Sequence, residues 1–402
     1  MSVNTLTFEQ VSTVLTSIVK QATNQAVITP TDTASFVSVA QIALRANRDA
    51  VMNAISDVLT RTIFSIRPYS AKLTGLDMDT FRWGAMMRKL SIADSDWMDD
   101  PAYAWPATYD ASQSPATGDG EAIDPWTIKK PNILQTNFYG ASVYFDEMTI
   151  FEDQIETAFT GPEQLGSFLT LLMTNLSNRL EMSNEGLRRG LVCNAIGAYY
   201  AEGNTDRVVH LLTEYNTLTG NSFTVQDIYS PDNFPAFTKW MYARVAEISD
   251  LFTANSTMFQ TVITGKPVLR HTPVEFQRVY MYSPFLRQME ARVLADTYHD
   301  TFLKYADVEA LPFWQSIQTK DQVSVTPVYT GANGAVVNAA AQVVENVVGL
   351  VFDRDAMGMT VLDRRVLSTP VNTKGLYRNL HVHCKQRVVF DSTEKGVLLL
   401  LN

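Results

Sequence analysis

The chain has 402 residues, of which 46% are apolar and 18% charged, and a formal net charge of −10. That length and composition exclude disorder as the default and leave room for more than one lobe, while the acidic balance argues against a protein that wraps nucleic acid. Two lone cysteines, Cys193 and Cys384, exclude a disulfide framework and fit assembly in a reducing cytoplasm, and no apolar run is long enough to span a bilayer.

Residues 1–60 read as a helical arm. Thr7-Phe8-Glu9-Gln10 fits a capping box, and Pro30 separates this first helix from a second carrying Phe36, Val37, Ala40 and Leu44, then Val51, Ile55, Val58 and Leu59. The character changes over residues 91–131, which are rich in Asp, Pro, Ala, Ser and Gly and lack periodicity. Strand-like residues flank them, Phe81–Leu90 before and Ile133–Phe145 after, with alternation in Ala141-Ser142-Val143-Tyr144-Phe145. A two-stranded projection is expected there.

From Gly161 to Tyr200 the spacing predicts one amphipathic helix. Proline after Gly161 is pre-organised for the first helical position, and Leu165, Phe168, Leu169, Leu172, Leu176, Leu180, Leu187, Leu191 and Ile196 fall on one face. At about 1.5 Å per residue such a helix is roughly 60 Å long. An extended plate needs a rod of that length; a compact enzyme domain seldom does.

A mixed α/β region follows. Phe237, Trp240, Met241, Val245, Ile248, Leu251 and Phe252 mark a helix announced by Ser230-Pro231-Asp232. Phe259–Thr264 and Val279–Tyr282 read as strands, and Ser283-Pro284 opens a helix with Phe285, Met289 and Val293. After a Thr/Val/Gly/Ala/Asn-rich insertion over 320–340, short strands are expected at Val348–Phe352, Met359–Leu362, Leu380–Cys384, Val388–Phe390 and Val397–Leu400.

The chemical motifs are weak. Thr264-Gly265-Lys266 lacks the upstream glycine of a phosphate-binding loop, and Pro267 removes an N–H. His381 and His383 share a strand face with Cys384 opposite, two ligands where a metal site needs three or four. Tyr298-His299-Asp300 has no nucleophile beside it, and Asp353 and Asp355 read as local caps. Asn175-Leu176-Ser177 and Asn255-Ser256-Thr257 match a glycosylation pattern that a cytoplasmic product would not use. The expectation is no enzyme, no cofactor and no metal.

Three passages carry a resemblance: Val347 to Gly358, Thr369 to Asn379 with the strands that end at Leu401, and Ile133 to Ala141 leading into the long helix. Together and in this order they resemble major capsid proteins of small short-tailed phages, which adopt the Hong Kong 97-type capsid fold. The resemblance implies an α+β plate: an N-terminal helical arm (1–70), an extended loop (71–150), a spine helix of the peripheral domain (151–205), an axial domain (206–327), and a return through both lobes (328–402). The immunoglobulin-like carboxy-terminal addition that many relatives carry is not expected here.

The implied function is a head protein that self-assembles as pentamers and hexamers into an icosahedral shell around double-stranded DNA, without binding it specifically. Scaffolding and portal proteins are the implied partners, the host cytoplasm the site of synthesis and the virion the final location. An encapsulin-like shell holding cargo enzyme is the alternative.

Charge is segregated along the chain. Between Leu90 and Ile128 there is no Lys or Arg but eight carboxylates, Asp99 and Asp100 among them; between Arg364 and Phe390 there is no Asp or Glu but six cations, including Arg364, Arg365, Lys374 and Arg378. Two independent solvated faces would explain this. So would an acidic loop laid over a neighbouring subunit's basic edge, anchored by Trp97, Trp105 and Trp126, half of the six tryptophans.

Overall fold

The computed structural model describes residues 8–23, 29–46, 72–78, 86–93, 126, 132–151, 153, 154, 156, 159–293 and 307–402. The expected apolar positions Val51 to Leu59, most of the 91–131 segment and Tyr298-His299-Asp300 lie outside the described residues.

Two helices, α1 (Phe8–Thr23) and α2 (Thr33–Ala46), open the chain. The second starts at a cap: Asp32 Oδ1 accepts the Ser35 N–H at 2.7 Å, and the Asp32 N–H returns a bond to Ser35 Oγ at 3.2 Å. Strand β1 (Met86–Ile92) then pairs antiparallel with β2 (Ile133–Tyr139), so the projection is a two-stranded hairpin. Gly140, at φ +95°, turns the chain out of the hairpin, and β3 (Ser142–Phe151) enters a different sheet.

The long helix, α3, runs from Pro162 to Glu202, 41 residues. Pro162 occupies its first turn, and Gly203 ends it in the left-handed conformation at φ +67°. Of the expected stripe, Leu165, Leu172, Leu176, Leu191 and Ile196 are buried and Phe168, Leu180 and Leu187 half-buried. The two ends of the stripe serve different cores. Leu165, Leu172 and Leu176 pack with Val11, Leu15 and Ile18 of α1 and with Ile150. Leu191, Val192, Ala195, Ile196 and Tyr199 pack against a second sheet.

After α3 come β4 (Val208–His210), α4 (Leu211–Thr219), α5 (Phe234–Thr253), β5 (Gln277–Tyr282), α6 (Ser283–Val293) and β6 (Asp307–Leu311). Short strands follow: β7 (Val323–Val325), β8 (Val328–Thr330), β9 (Val336–Asn338) and β10 (Gln342–Val344). Then come β11 (Val347–Asp353), β12 (Met357–Ser368), β13 (Tyr377–Phe390) and β14 (Gly396–Leu400).

A mixed five-stranded sheet has the order β4-β14-β11-β5-β6, and its strands present residues alternately to two cores, with a bulge in β11 between Val347 and Gly349. Val397, Leu399, Val279 and Met281 face α4, α5 and α6; Leu398, Leu400, Tyr280, Leu350 and Phe352 face the end of α3. Burial on both faces explains the continuous apolar run at Val397–Leu401, with about 1.5–3 kcal/mol gained per buried large side chain. A three-stranded antiparallel sheet, β12-β13-β3, covers the beginning of α3 with Val366, Leu380 and Val382.

Two expectations change. Phe259–Thr264 is not a strand: Phe259 sits at φ +65°, and the segment's backbone bonds go singly to Gly396, Ser392 and Ala332. Its apolar residues reflect burial under a turn, which alternation alone cannot separate from pairing. Met359–Leu362 and Val388–Phe390 are parts of strands 12 and 14 residues long, joined by a register shift between Val361 and Asp363.

Candidate assembly surfaces

The polar run Asp391-Ser392-Thr393-Glu394-Lys395 resembles an exposed turn in sequence, yet all five residues are buried. It sits where the hairpin, the end of α5 and the start of β4 meet. Lys89 of β1 is held by Asp391 Oδ2 at 2.5 Å and by Glu394, whose Oε1 also receives Arg270 at 2.8 Å. Arg270 reaches Ser91 Oγ at 3.1 Å, Lys266 donates to the Ile133 carbonyl at 2.9 Å, and Asn132 donates to the Gly265 carbonyl at 3.2 Å. The Thr264-Gly265-Lys266 turn therefore fastens the hairpin base.

Charge and burial pull the two carboxyls apart. Burial alone would raise Asp391, but Lys89 and Thr393 bring it below the usual range, whereas burial keeps Glu394 above its own. The same turn is tied to the lobe behind it. Lys395 Nζ donates to the carbonyls of Leu251, Phe252 and Ala254 at the end of α5, where the helix dipole favours a cation. Arg207 donates to the Ser392, Glu394 and Gly396 carbonyls and lies 4.0 Å over the Tyr199 ring.

The middle of α3 is polar and bolted to its surroundings. Arg188 makes a bidentate pair with Asp77 at 2.8 and 2.7 Å. Arg189 pairs with Glu185 at 2.7 Å and covers the Phe313 ring at 4.0 Å. Gly186 and Gly190 face a groove shared with Phe138 of the hairpin and Tyr329, and a Cβ at either glycine would meet nothing within 4 Å.

The outer face of the three-stranded sheet is open to solvent. Across β12, β13 and β3 it carries the rows Asp363/Lys385/Val143, Arg365/His383/Phe145 and Leu367/His381/Glu147. Val143, Phe145 and Leu367 are each more than half exposed. The Phe145 ring lies 5.2 Å from the His381 ring and 5.1 Å from that of His383.

Of the residues expected at a subunit contact, Arg365 and Lys374 are exposed, Arg365 pairing with Asp363 at 2.8 Å. Arg364 is half-buried on the opposite side of β12, where burial pulls its guanidinium below the ordinary value. Arg378 is only 2% exposed, and Arg387 is buried with its Nε bonded to the Gly140 carbonyl at 2.8 Å, so neither offers its charge to a partner. Trp126 is 85% exposed. Trp97, Trp105, Asp99 and Asp100 lie outside the described residues.

The decoy motifs have local roles. Asp353 caps a 3-10 turn by accepting the Asp355 N–H at 2.8 Å, and Cys193 and Cys384 are buried free thiols. Among the described residues no three His, Cys, Asp or Glu side chains converge as metal ligands, and no helix is long and apolar enough to cross a membrane.

A hairpin, a helix shared by two cores and a five-stranded lobe define the fold of phage capsid subunits. The structure is similar to the capsid of Staphylococcus phage Andhra, with a TM-score of 0.51 at 10% identity, over 84% of this chain and 87% of that one. The cyanophage P-SCSP1u capsid (TM-score 0.41, 11% identity, 84% and 89% covered) and a chain of Mycobacterium phage Che8 (0.39, 8%, 83% and 93%) are more distant. No curated protein matches the sequence. The sequence profile of the Phi29-like phage major capsid proteins matches residues 15–399, and the chain belongs to that family. It is a major capsid protein of the phage head, a structural subunit of the virion shell.

Proposed function

We propose that this subunit tiles as pentamers and hexamers, and that the segment around Leu90–Pro131 crosses to a neighbouring copy. The observation that carries this reading is the segregation of eight carboxylates into that segment and of exposed cations onto Arg365, Lys374 and Lys385. Trp126 is 85% exposed in the single chain, Trp97 and Trp105 belong to the same acidic segment, and tryptophans buried at a contact act as anchors. In the division that fits this role, 1–70 is the arm, 71–150 the extended loop, 151–205 the spine, 206–327 the axial lobe and 328–402 the return.

The shell encloses double-stranded DNA without specific contacts, consistent with the net charge of −10. Scaffolding and portal proteins assist assembly in the host cytoplasm, and the subunit itself carries out no catalysis. The test is a Trp97→Ala/Trp105→Ala/Trp126→Ala variant examined by negative-stain microscopy. Loss of shells with folded subunits supports the crossing; normal shells refute it. Desolvated tryptophan anchors are worth about 2 kcal/mol or more each, against roughly 0–1 for exposed charges, so added salt should slow assembly only modestly.

A further inference from the structure

We propose that the groove between the end of β3 and the first half of α3 is a docking site for a basic amphipathic helix presented by a different protein chain. The proposal is independent of the crossing described above.

Helix α3 carries two stripes, and the core uses one of them. Leu165, Leu172 and Leu176 face α1. A second line, Gln164, Phe168, Leu171, Asn175, Asn178 and Met182, advances by four and three residues in turn, which is the spacing of a coiled-coil seam. On it Leu171 is 68% and Met182 65% exposed. Single exposed apolar residues are ordinary, but these two lie on one helical line, and Leu171 borders a groove of about 740 Å³ that Met148, Ile150, Phe168 and Leu172 also line. Strand β3 is the last in the order β12-β13-β3, so among the described residues no strand closes the groove on that side. An apolar groove beside a seam of this spacing is the surface on which an amphipathic helix lays its own stripe.

Charge decides between occupants. From Pro131 to Asn178 the chain has six carboxylates and no Lys or Arg. Asp153 and Glu163 are exposed on the groove itself. The first cation after this stretch, Arg179, is already paired with Asp146 at 2.7 Å. Two copies of this surface laid face to face would set carboxylates against carboxylates, which disfavours a second α3 as the occupant. A helix with apolar residues at every third and fourth position and Lys or Arg along its flanks matches both the seam and the acidic rim.

The test uses a fluorescein-labelled synthetic peptide of about three heptads, with Leu at the two seam positions of each and Lys beside them, and a control peptide of the same composition in shuffled order. Binding to the full-length unassembled subunit is read by fluorescence anisotropy, and a benzophenone at the centre of the peptide maps the contact by mass spectrometry. The patterned peptide should bind on the order of tenfold tighter than the shuffled one and cross-link within residues 148–182. Leu171→Ser/Met182→Ser should weaken it on the order of tenfold at any salt concentration, and Asp153→Asn/Glu163→Gln by a similar factor in dilute salt only. All four positions are exposed, so both variants should keep the circular dichroism and urea midpoint of the unmodified protein. In shells assembled from this chain alone, Met182 should remain open to hydroxyl-radical oxidation. Equal binding of the two peptides, or cross-links elsewhere, overturns the site. Undiminished binding by Leu171→Ser/Met182→Ser overturns the seam, and undiminished binding by Asp153→Asn/Glu163→Gln overturns the basic character of the partner. Protection of Met182 in those shells overturns the proposal in favour of a second copy.

Discussion

Replacing Lys89 by methionine removes the hairpin's cation while keeping most of its length. Asp391 and Glu394 would then face each other in the buried turn with Arg270, bonded to Glu394, as the nearest remaining counter-charge. Breaking a buried pair by deleting one partner costs about 3–5 kcal/mol. Lys89 is 25% exposed and Arg270 remains, so about 2 kcal/mol is the appropriate figure. Much of it should fall on local opening of the hairpin, because the other ties there are single hydrogen bonds, from Arg270, Lys266 and Asn132. Hydrogen exchange followed by mass spectrometry should show amides of β1 and β2 exchanging about 30-fold faster, with little change in α5 or β14. Adding Asp391→Asn should recover part of the loss, since Asp391 is the carboxylate left without its cation while Glu394 keeps Arg270. Unaltered exchange in the hairpin with slower or faster exchange elsewhere would refute the reasoning, as would a second substitution that deepens the defect.

Leu176→Pro places a proline inside α3, against the α1 core, and should cost about 3 kcal/mol or more; normal shells seen by electron microscopy would contradict the helix's structural role. Gly396→Ala would drive a Cβ into Tyr199 Oη, under a ring already capped by Arg207, so a loss of about 1–3 kcal/mol is expected in urea unfolding. Burial pushes Tyr199 and Tyr229 up to about 12 from 10.0. These phenols keep their protons in the fold while the unfolded chain loses them, so their contribution is complete below about pH 10 and disappears as the pH climbs towards 12. Tyr199→Phe should reduce that alkaline loss, measured as the urea midpoint against pH.

Periodicity made α3 readable, because an interior with one stripe and two cores still demands apolar residues every three to four positions. Strand β14 was equally plain, since a strand buried on both sides must be apolar throughout. The clamp was hidden for the opposite reason. Asp391 to Lys395 has the composition of a solvated turn, and only the distant partners Lys89, Arg270 and the α5 carbonyls make its burial tolerable. Sequence segregation of charge drew attention to β12 and β13 as a whole, but strand alternation sends Arg364 and Arg378 inward and Arg365 outward. The register shift after Val361 sets that parity for β12, and it has no signature in the residues themselves.

Because α3 belongs to both cores, it behaves as a beam built into two walls. Neither lobe can tilt without loading the other through it, so a difference in curvature between one position in the shell and another becomes a bending moment on a single rod. Its middle is not a loose point: Gly186 and Gly190 carry no side chain, but Arg188 and Arg189 between them pin the same turns to Asp77, Phe313 and Trp314. The load therefore passes along the rod from one lobe to the other.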